Sequence, residues 1–564
     1  MRHKLPANAK DLDYSKSSLP CLNFEINMKN LLTFLGLFIF SLHSFSQTNP
    51  FDISIESLSI PELGGVQSFA FAQHSDRWLI VGGRLDGLHR RQPWAAFDEA
   101  GHNNQLIVID PISLQKWSAS LSALPTSIRE QLSSTNMNFH QEGDYLYCAG
   151  GYGYSNTFGD HTTFSNLTAI NVSEVINAVI NGTDFTAYFR QITDDMFQVT
   201  GGKLAKIYDT YYLLGGQKFI GRYNPMGPDH GPGFEQEYTN AIRRFVINDD
   251  GTTLSINRLS AHIDSENLHR RDYNAVAQIL PNGEEGITMF SGVFQYDVDL
   301  PFLNSVTIDS NDYVVNNDFQ QYYNHYHCAF LPLYSENLNE MHNVFFGGIA
   351  QYYDSLGVLI QDNNVPFVKT IARVTRDENG DLAEYKLPIE MPSLLGAGSE
   401  FIPNKNIPHF ENGVFKLDSI VADTVVAGYI FGGISSSAAN IFWTNDGTQS
   451  NASSQVFKVN LIKNNGTVSV HQLNEESVSS FDFEIYPNPN SDGQFTVEFQ
   501  LKQTDEVPLI ISDINGQTLG SILLKSQYGK NTFTVEAEEL YQKGTYFVSL
   551  QTKYHRATKK IVIY

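Results

Sequence analysis

The chain has 564 residues, of which 41% are hydrophobic, and a formal net charge of −24. That is too long for one ordinary core and too apolar for a disordered chain, so more than one folded domain is expected. A strongly acidic surface repels phosphate backbones and anionic membranes, which argues against nucleic-acid binding.

Residues 1–27 carry no structural pattern and read as an over-extended start preceding Met28. Met28-Lys29-Asn30 then leads into the apolar run Leu31 to Phe40 and the small polar stretch SLHSFSQ. A basic start, a short apolar run and a polar tail describe a secretory signal peptide over 28–47, with cleavage near Ser46 or Gln47. The run is too short for a comfortable membrane span. Of three cysteines, Cys21 precedes the signal, while Cys148 and Cys328 lie far apart in apolar surroundings. Two buried small hydrophobes are expected, rather than a disulfide framework or a reactive thiol.

Residues 48–478 repeat. An apolar strand ending in Gly-Gly recurs at WLIVGG (ending at Gly83), YLYCAGG (Gly151), YYLLGG (Gly216), VFFGG (Gly348) and YIFGG (Gly433), with a degenerate copy, ITMFSG, at Gly292. Gly83 to Gly433 is 350 residues in five steps, a mean of 70. Another apolar strand precedes each, such as 66–72, 203–207, 273–280 and 326–333. Further strands follow, with hairpin turns at Asp110-Pro111, Asn248–Gly251, Glu378–Gly380 and Asn464–Gly466. Four antiparallel strands per unit, six units and a diglycine closing the second strand resemble the kelch-repeat propeller family. The resemblance implies an all-β, six-bladed kelch-like β-propeller. The repeats are longer than the family's roughly 50 residues, and the family's fourth-strand tryptophan is clear only at Trp117. Residues 51–60 are expected to add a strand to the last unit and close the ring.

From 479 to 564 the composition changes. YPNP (486–489), SDGQFTVEF (491–499), DINGQ (513–517), KGTYFVSL (543–550) and a final KKIVIY (559–564) follow in order. Alternation in Phe495-Thr496-Val497-Glu498-Phe499 gives one buried face, and Asn515-Gly516 a hairpin turn, so the tail reads as a small Ig-like β-sandwich. These landmarks resemble the type A C-terminal sorting domain of Bacteroidetes type IX secretion cargo. The resemblance implies the type IX machinery as a partner and a secreted or outer-membrane cell-surface location.

In a four-stranded up-and-down unit, the loops between second and third strands emerge on one side. Here they are long: 84–103, 152–165, 217–238, 293–304, 349–366 and 434–454. Long loops on a rigid scaffold are where binding residues concentrate. The candidates for ligand binding there are Arg84, His89, Tyr152, Tyr154, Arg222, Arg271, His325 and Tyr352. Arginine offers a planar donor fork suited to carboxylates, and aromatics offer flat apolar surfaces with a polar handle. Bracing of the loops by the same residues is the competing reading. His325-x-His327 would put two imidazoles on one side of a strand, without an identifiable third ligand. No nucleophile elbow and no calcium-loop pattern is present. The expectation is a surface module recognising a glycan or a protein, without cofactor or metal. The alternative is a carbohydrate-active enzyme (epimerase, lyase or oxidase) using the His, Tyr and Arg cluster.

Overall fold

The computed structural model describes residues 50–463, apart from 228, 229, 232, 356 and 357, and residues 483–564, apart from 492–493, 502–503, 513–517, 537–542 and 552–555. The signal segment and the turns at 464–466 and 515–516 lie outside the described residues. The chain forms two compact units, dividing at Gly466 and Thr467. Both are built almost entirely of β-strands.

Among the described residues, six sheets of the larger unit each contain an antiparallel ladder of four strands, and two of these sheets take a short fifth strand. In the first five, spatial order follows chain order: Ala70–His74 to Gln115–Ser120, Asn138–Glu142 to Phe189–Thr193, Lys203–Ile207 to Leu254–Arg258, Asn274–Ile279 to Tyr313–Asn316, and Phe330–Ser335 to Leu382–Glu390. The sixth takes Ser399–Pro403, Thr424–Gly432 and Val456–Lys463 from the end of the unit. Its fourth strand is Phe51–Leu58, from the beginning. Phe51 lies opposite Lys463 and Leu58 opposite Val456, as expected for a strand that joins the first part of the unit to the last.

Every second strand carries a run of successive apolar residues because both of its faces are largely buried there. In the first sheet Leu79 and Val81 pack toward the second sheet, with Leu146, Cys148 and Ile170. Their alternates Trp78 and Ile80 pack toward the sixth, with Ile402, Phe431 and Val456. The second sheet repeats the pattern: Tyr147 and Ala149 meet Leu204 and Leu213 of the third. Tyr212 and Leu214 of the third meet Ala275 and Met289 of the fourth. Cys148 and Cys328 are buried and free, and burial pushes the Cys328 thiol up to about 12, so neither is a thiolate near neutrality.

The diglycines explain themselves through the next sheet. The second glycine N–H donates to the segment leading into the following sheet: Gly83 to Ser134 O (2.8 Å), Gly151 to Val199 O (3.0 Å), Gly216 to Arg270 O (2.7 Å), Gly292 to His325 O (3.2 Å), Gly348 to Leu395 O (2.8 Å), and Gly433 of the sixth sheet to Val66 O before the first (2.9 Å). Both glycines of each pair have φ between +47° and +98°, and a Cβ on Gly432 would lie 2.4 Å from Val66 O. Only glycine accepts both conditions without strain. In the degenerate copy, Ser291 takes the left-handed conformation at φ +56°.

A second set of bonds runs inside the first. Asn136 N donates to Ser68 O (3.1 Å), Gly201 to Asn136 (3.3 Å), Asp272 to Gly201 (2.7 Å), His327 to Asp272 (2.9 Å), Gly398 to His327 (2.9 Å) and Ser68 to Gly398 (2.8 Å). One residue ahead of each sheet takes part, and the sixth bond returns to the starting residue.

The smaller unit has two sheets. One holds Phe483–Tyr486, Gln494–Leu501 and Gly529–Glu536; the other holds Asp505–Ser512, Thr518–Ser526, Gly544–Gln551 and Arg556–Ile563. Phe495, Val497 and Phe499 point into a core shared with Leu509, Val548 and Ile561 of the second sheet.

The Phe51–Leu58 strand is the test of closure. Phe51 is fully buried against the fifth and sixth sheets, so Phe51→Ala is expected to cost about 3–5 kcal/mol, whereas Ser57→Ala at an exposed position near the end of the same strand stays within about 0.5 kcal/mol. Urea midpoints of the two variants check this. Equal midpoints would mean that the strand is dispensable.

Candidate functional site

Each first strand runs away from the inner circle of bonds and each second strand returns to it, ending in the diglycine. The long second-to-third segments therefore leave on the side of that circle. Much of their length is ordered into secondary sheets. Tyr152–Ser155, Asp160–Thr163, Gln217–Ile220 and Glu235–Tyr238 join the segments of the second and third sheets into one ladder. Tyr352–Ser355 with Val358–Gln361, and Ile434–Ser436 with Ser450–Ala452, form hairpins.

Several of the candidate residues brace this layer. Arg84 is buried; its Nε and Nη2 grip the Asp86 carboxylate at 2.7 and 2.6 Å, and Nη2 also reaches Asp98 O at 2.9 Å. His89 stacks on Phe97 and meets the edge of Tyr223, with centroids 4.8 Å apart. Tyr152 donates to Gly221 O (2.7 Å) and accepts from Tyr223 N (3.0 Å). Tyr154 meets His161 edge-on. Arg222 donates to the carbonyl of Trp94. Arg84, His89 and Tyr152 gather around Phe97, with Tyr223 against His89 and Tyr152. Burial holds His89 down to about 4, assisted by Arg271, Arg84 and Arg91, so its ring is neutral at physiological pH.

His325 and Tyr352 form a separate group, with centroids 6.4 Å apart. His325 is fully buried, donates from Nε2 to Gln321 O (2.8 Å) and accepts at Nδ1 from Gln351 N (3.0 Å). Both ring nitrogens are engaged. His325 and His327 lie outside any strand, contrary to the strand spacing expected for them, and His327 instead approaches Glu400. Among the described residues no cluster of three or more His, Cys, Asp or Glu side chains has the arrangement to hold a metal.

Whereas Arg84 is buried with its Nη1 lacking a protein partner among the described residues, Arg271 leads into the fourth sheet beside the inner circle and keeps 14% of its side chain exposed. Its Nε donates to Tyr238 OH (3.0 Å), Nη1 to the Asp272 carboxylate, and the guanidinium lies 5.2 Å from the Phe294 ring centroid. Among the described residues no protein group accepts from Nη2. Burial works against the charge, but Tyr238, Asp272, Tyr223 and Tyr326 outweigh it and Arg271 stays cationic. Burial also raises the Tyr223 and Tyr326 phenols, which remain neutral O–H groups. Tyr238, Tyr326 and Phe294 carry no sequence mark beyond their place in or next to long loops.

Below the circle lies a small cavity, lined by Asn136, Lys203, Asp272, His327 and Glu400 among others, with room for a water molecule. The Glu400 carboxylate is buried, with Oε1 2.9 Å from His327 Nε2 at an angle too poor for a hydrogen bond. Burial raises the Glu400 carboxyl, but Lys203 and His327 outweigh it and hold it below the usual carboxylate range.

Residues 484–564 match the family model of the secretion system C-terminal sorting domain. The chain is therefore a secreted or cell-surface protein carrying a type IX sorting domain. Among the described residues no helix is long and apolar enough to cross a membrane. No curated protein matches the chain. Solved structures similar to it include that of YjhT, at 12% identity over 70% of this chain and 97% of that one, with a TM-score of 0.39. They also include PorZ, a surface component of the type IX secretion system of Porphyromonas gingivalis, at 10% identity over 88% of this chain and 59% of that one, with a TM-score of 0.24. Both scores are below 0.5.

The buried histidines make stability depend on pH. Burial lowers His102 and His325 to about 4 and His342 to about 3, and also lowers His161. Their contribution is complete above the unfolded value near 6.5 and is lost as pH falls toward 4, at about 1.4 kcal/mol per pH unit for each histidine at most. Glu384, raised to about 8 by burial, has the opposite sign, losing its contribution as pH rises from about 4.5 through 8. With His89, also held down to about 4 by burial, five such rings stand against one carboxyl and leave a net loss on acidification. Thermal melts at pH 7 and pH 5 are expected to show a lower midpoint at pH 5, and His325→Gln to reduce the difference. A midpoint unchanged between the two would contradict the neutral, buried state of these rings.

Proposed function

We propose that the larger unit is a six-bladed kelch-like β-propeller which recognises a glycan or a protein ligand through its long-loop face, and that the tail directs its export by type IX secretion. The six ladders, the diglycine bonds that step from each sheet to the next and return to Val66, and the completion of the sixth sheet by Phe51–Leu58 support the architecture.

The observation that favours recognition is a band of exposed aromatics held by arginines. Trp94 and Trp443 are 72% and 65% exposed, so two large apolar rings face solvent on this side. Arg91 stacks on Trp443, 4.2 Å from its centroid, and donates to Pro225 O at 2.9 Å. Arg222 holds the Trp94 carbonyl. Segments of the first, third and sixth sheets are thereby tied together beneath flat apolar surfaces. Such platforms suit sugar faces and side chains of a protein partner. The enzyme alternative loses one of its members, because both nitrogens of His325 are spoken for.

Two measurements check this reading. The purified exported protein, probed on arrays of glycans and surface proteins, is expected to bind a member, with Trp94→Ala/Trp443→Ala weakening binding by roughly tenfold, the effect of about 1.4 kcal/mol. Binding insensitive to both tryptophans would remove this face from the proposal. Deleting 484–564 is expected to leave the protein in the periplasm; its continued appearance at the surface or in the medium would dissociate the tail from export.

A further inference from the structure

Arg271 sits among donors and almost no acceptors. Its Nη2 has no protein acceptor among the described residues, while Nε and Nη1 are fixed by Tyr238 and Asp272. The Tyr238 hydroxyl already accepts from Arg271 Nε (3.0 Å) and from Phe294 N (3.3 Å), so its own proton is directed to something else. Tyr326 directly precedes His327, whose N–H donates to Asp272 O, and neither the Tyr326 nor the Tyr223 hydroxyl donates to a described protein group. The one nearby carboxylate, Asp272, is occupied by Arg271. A ligand group satisfying this set must accept several hydrogen bonds and offer none. Arg271 is already paired with one carboxylate, which leaves too little positive charge for a dianion.

We propose that Arg271, Tyr238, Tyr223 and Tyr326 form a subsite for a single carboxylate of the ligand. This rests on the reading of the loop face as a recognition surface and adds the chemistry of what is recognised. The planar carboxylate accepts from Arg271 Nη2 and from the phenols, in charge-assisted bonds that neutral oxygens do not match. Two sources share this chemistry, a uronic acid of a glycan and the chain end of a peptide.

The test is calorimetric titration of the full exported protein with two pairs of probes: glucuronate against glucose, and N-acetyl-dialanine against its amide. At least one acid is expected to bind at least tenfold more tightly than its neutral partner, and which one does so identifies the source. Tyr326→Phe is expected to weaken the acid severalfold without changing the weak binding of the neutral probe. Arg271→Lys, which retains the charge beside Asp272 but loses Nη2, is expected to abolish the preference, with the thermal midpoint read alongside. Should Arg271→Lys fail to fold, Tyr326→Phe and the acid-to-neutral ratio still decide the matter. Equal binding of acids and neutral partners, or no binding by any probe, overturns the subsite. If the protein nevertheless binds an array member through Trp94 and Trp443, the recognition surface stands and only its carboxylate chemistry is wrong.

Discussion

A sheet with two apolar faces has no stable existence alone, and that constraint governs the larger unit. Each second strand is apolar at successive positions, so each sheet needs a neighbour on either side. A linear stack would leave two apolar faces in water. Here the core between the sixth and first sheets, built from Trp78, Ile80, Phe431 and Val456, covers what would be the two ends. The pairing of Phe51–Leu58 with Val456–Lys463 then joins the first and last parts of the unit through backbone hydrogen bonds. Positive-φ glycines follow from the same requirement, since the chain must turn sharply while its N–H reaches the neighbouring carbonyl.

The cycle of backbone bonds also decides where chemistry is possible. Segments that begin at the diglycines start from fixed points around one circle, so residues far apart in sequence meet. Most of the meeting is consumed in bracing: Arg84 by Asp86, Tyr152 by Gly221, His325 by Gln321 and Gln351. Long segments without such bonds would bury unsatisfied backbone groups and lose their shape. Trp94, Trp443 and the outward edge of Arg271 are what bracing leaves over, which is why they carry the functional proposals.

Much of this was legible before any coordinates. The Gly-Gly strands show because they are local and apolar, and the strand at 51–58 shows by its alternation and its place ahead of the first repeat. The tail shows through ordered landmarks and the Phe495, Val497, Phe499 alternation. Side-chain partners were not legible, because they depend on contacts across the circle. Nothing near Arg84 in the sequence distinguishes it from Arg271, yet Arg84 is buried against Asp86 while Arg271, held by Asp272 and Tyr238, keeps an edge exposed. His325-x-His327 suggested a strand pair, but the chain there is still leading into the fifth sheet, and the two rings diverge to Gln321 and Glu400. Ser291, which makes the ITMFSG copy degenerate, takes the conformation that glycine holds in the other repeats.

Asp272 links the scaffold to the proposed subsite. Its N–H donates to Gly201 O and its own carbonyl accepts from His327 N, so its backbone is a member of the inner circle. Its carboxylate holds Arg271 Nη1. The arginine is thus positioned by a residue whose place is set from both sides, and Tyr238 fixes the guanidinium at Nε. A guanidinium fixed at two of its three nitrogens loses little freedom on meeting a ligand, and affinity gained by preorganisation does not require a large contact area. The same arrangement makes Asp272 a positioning residue whose side chain sets ligand affinity while its backbone serves the fold, two roles that Asp272→Asn would separate by leaving the backbone bonds in place and weakening only the hold on Arg271.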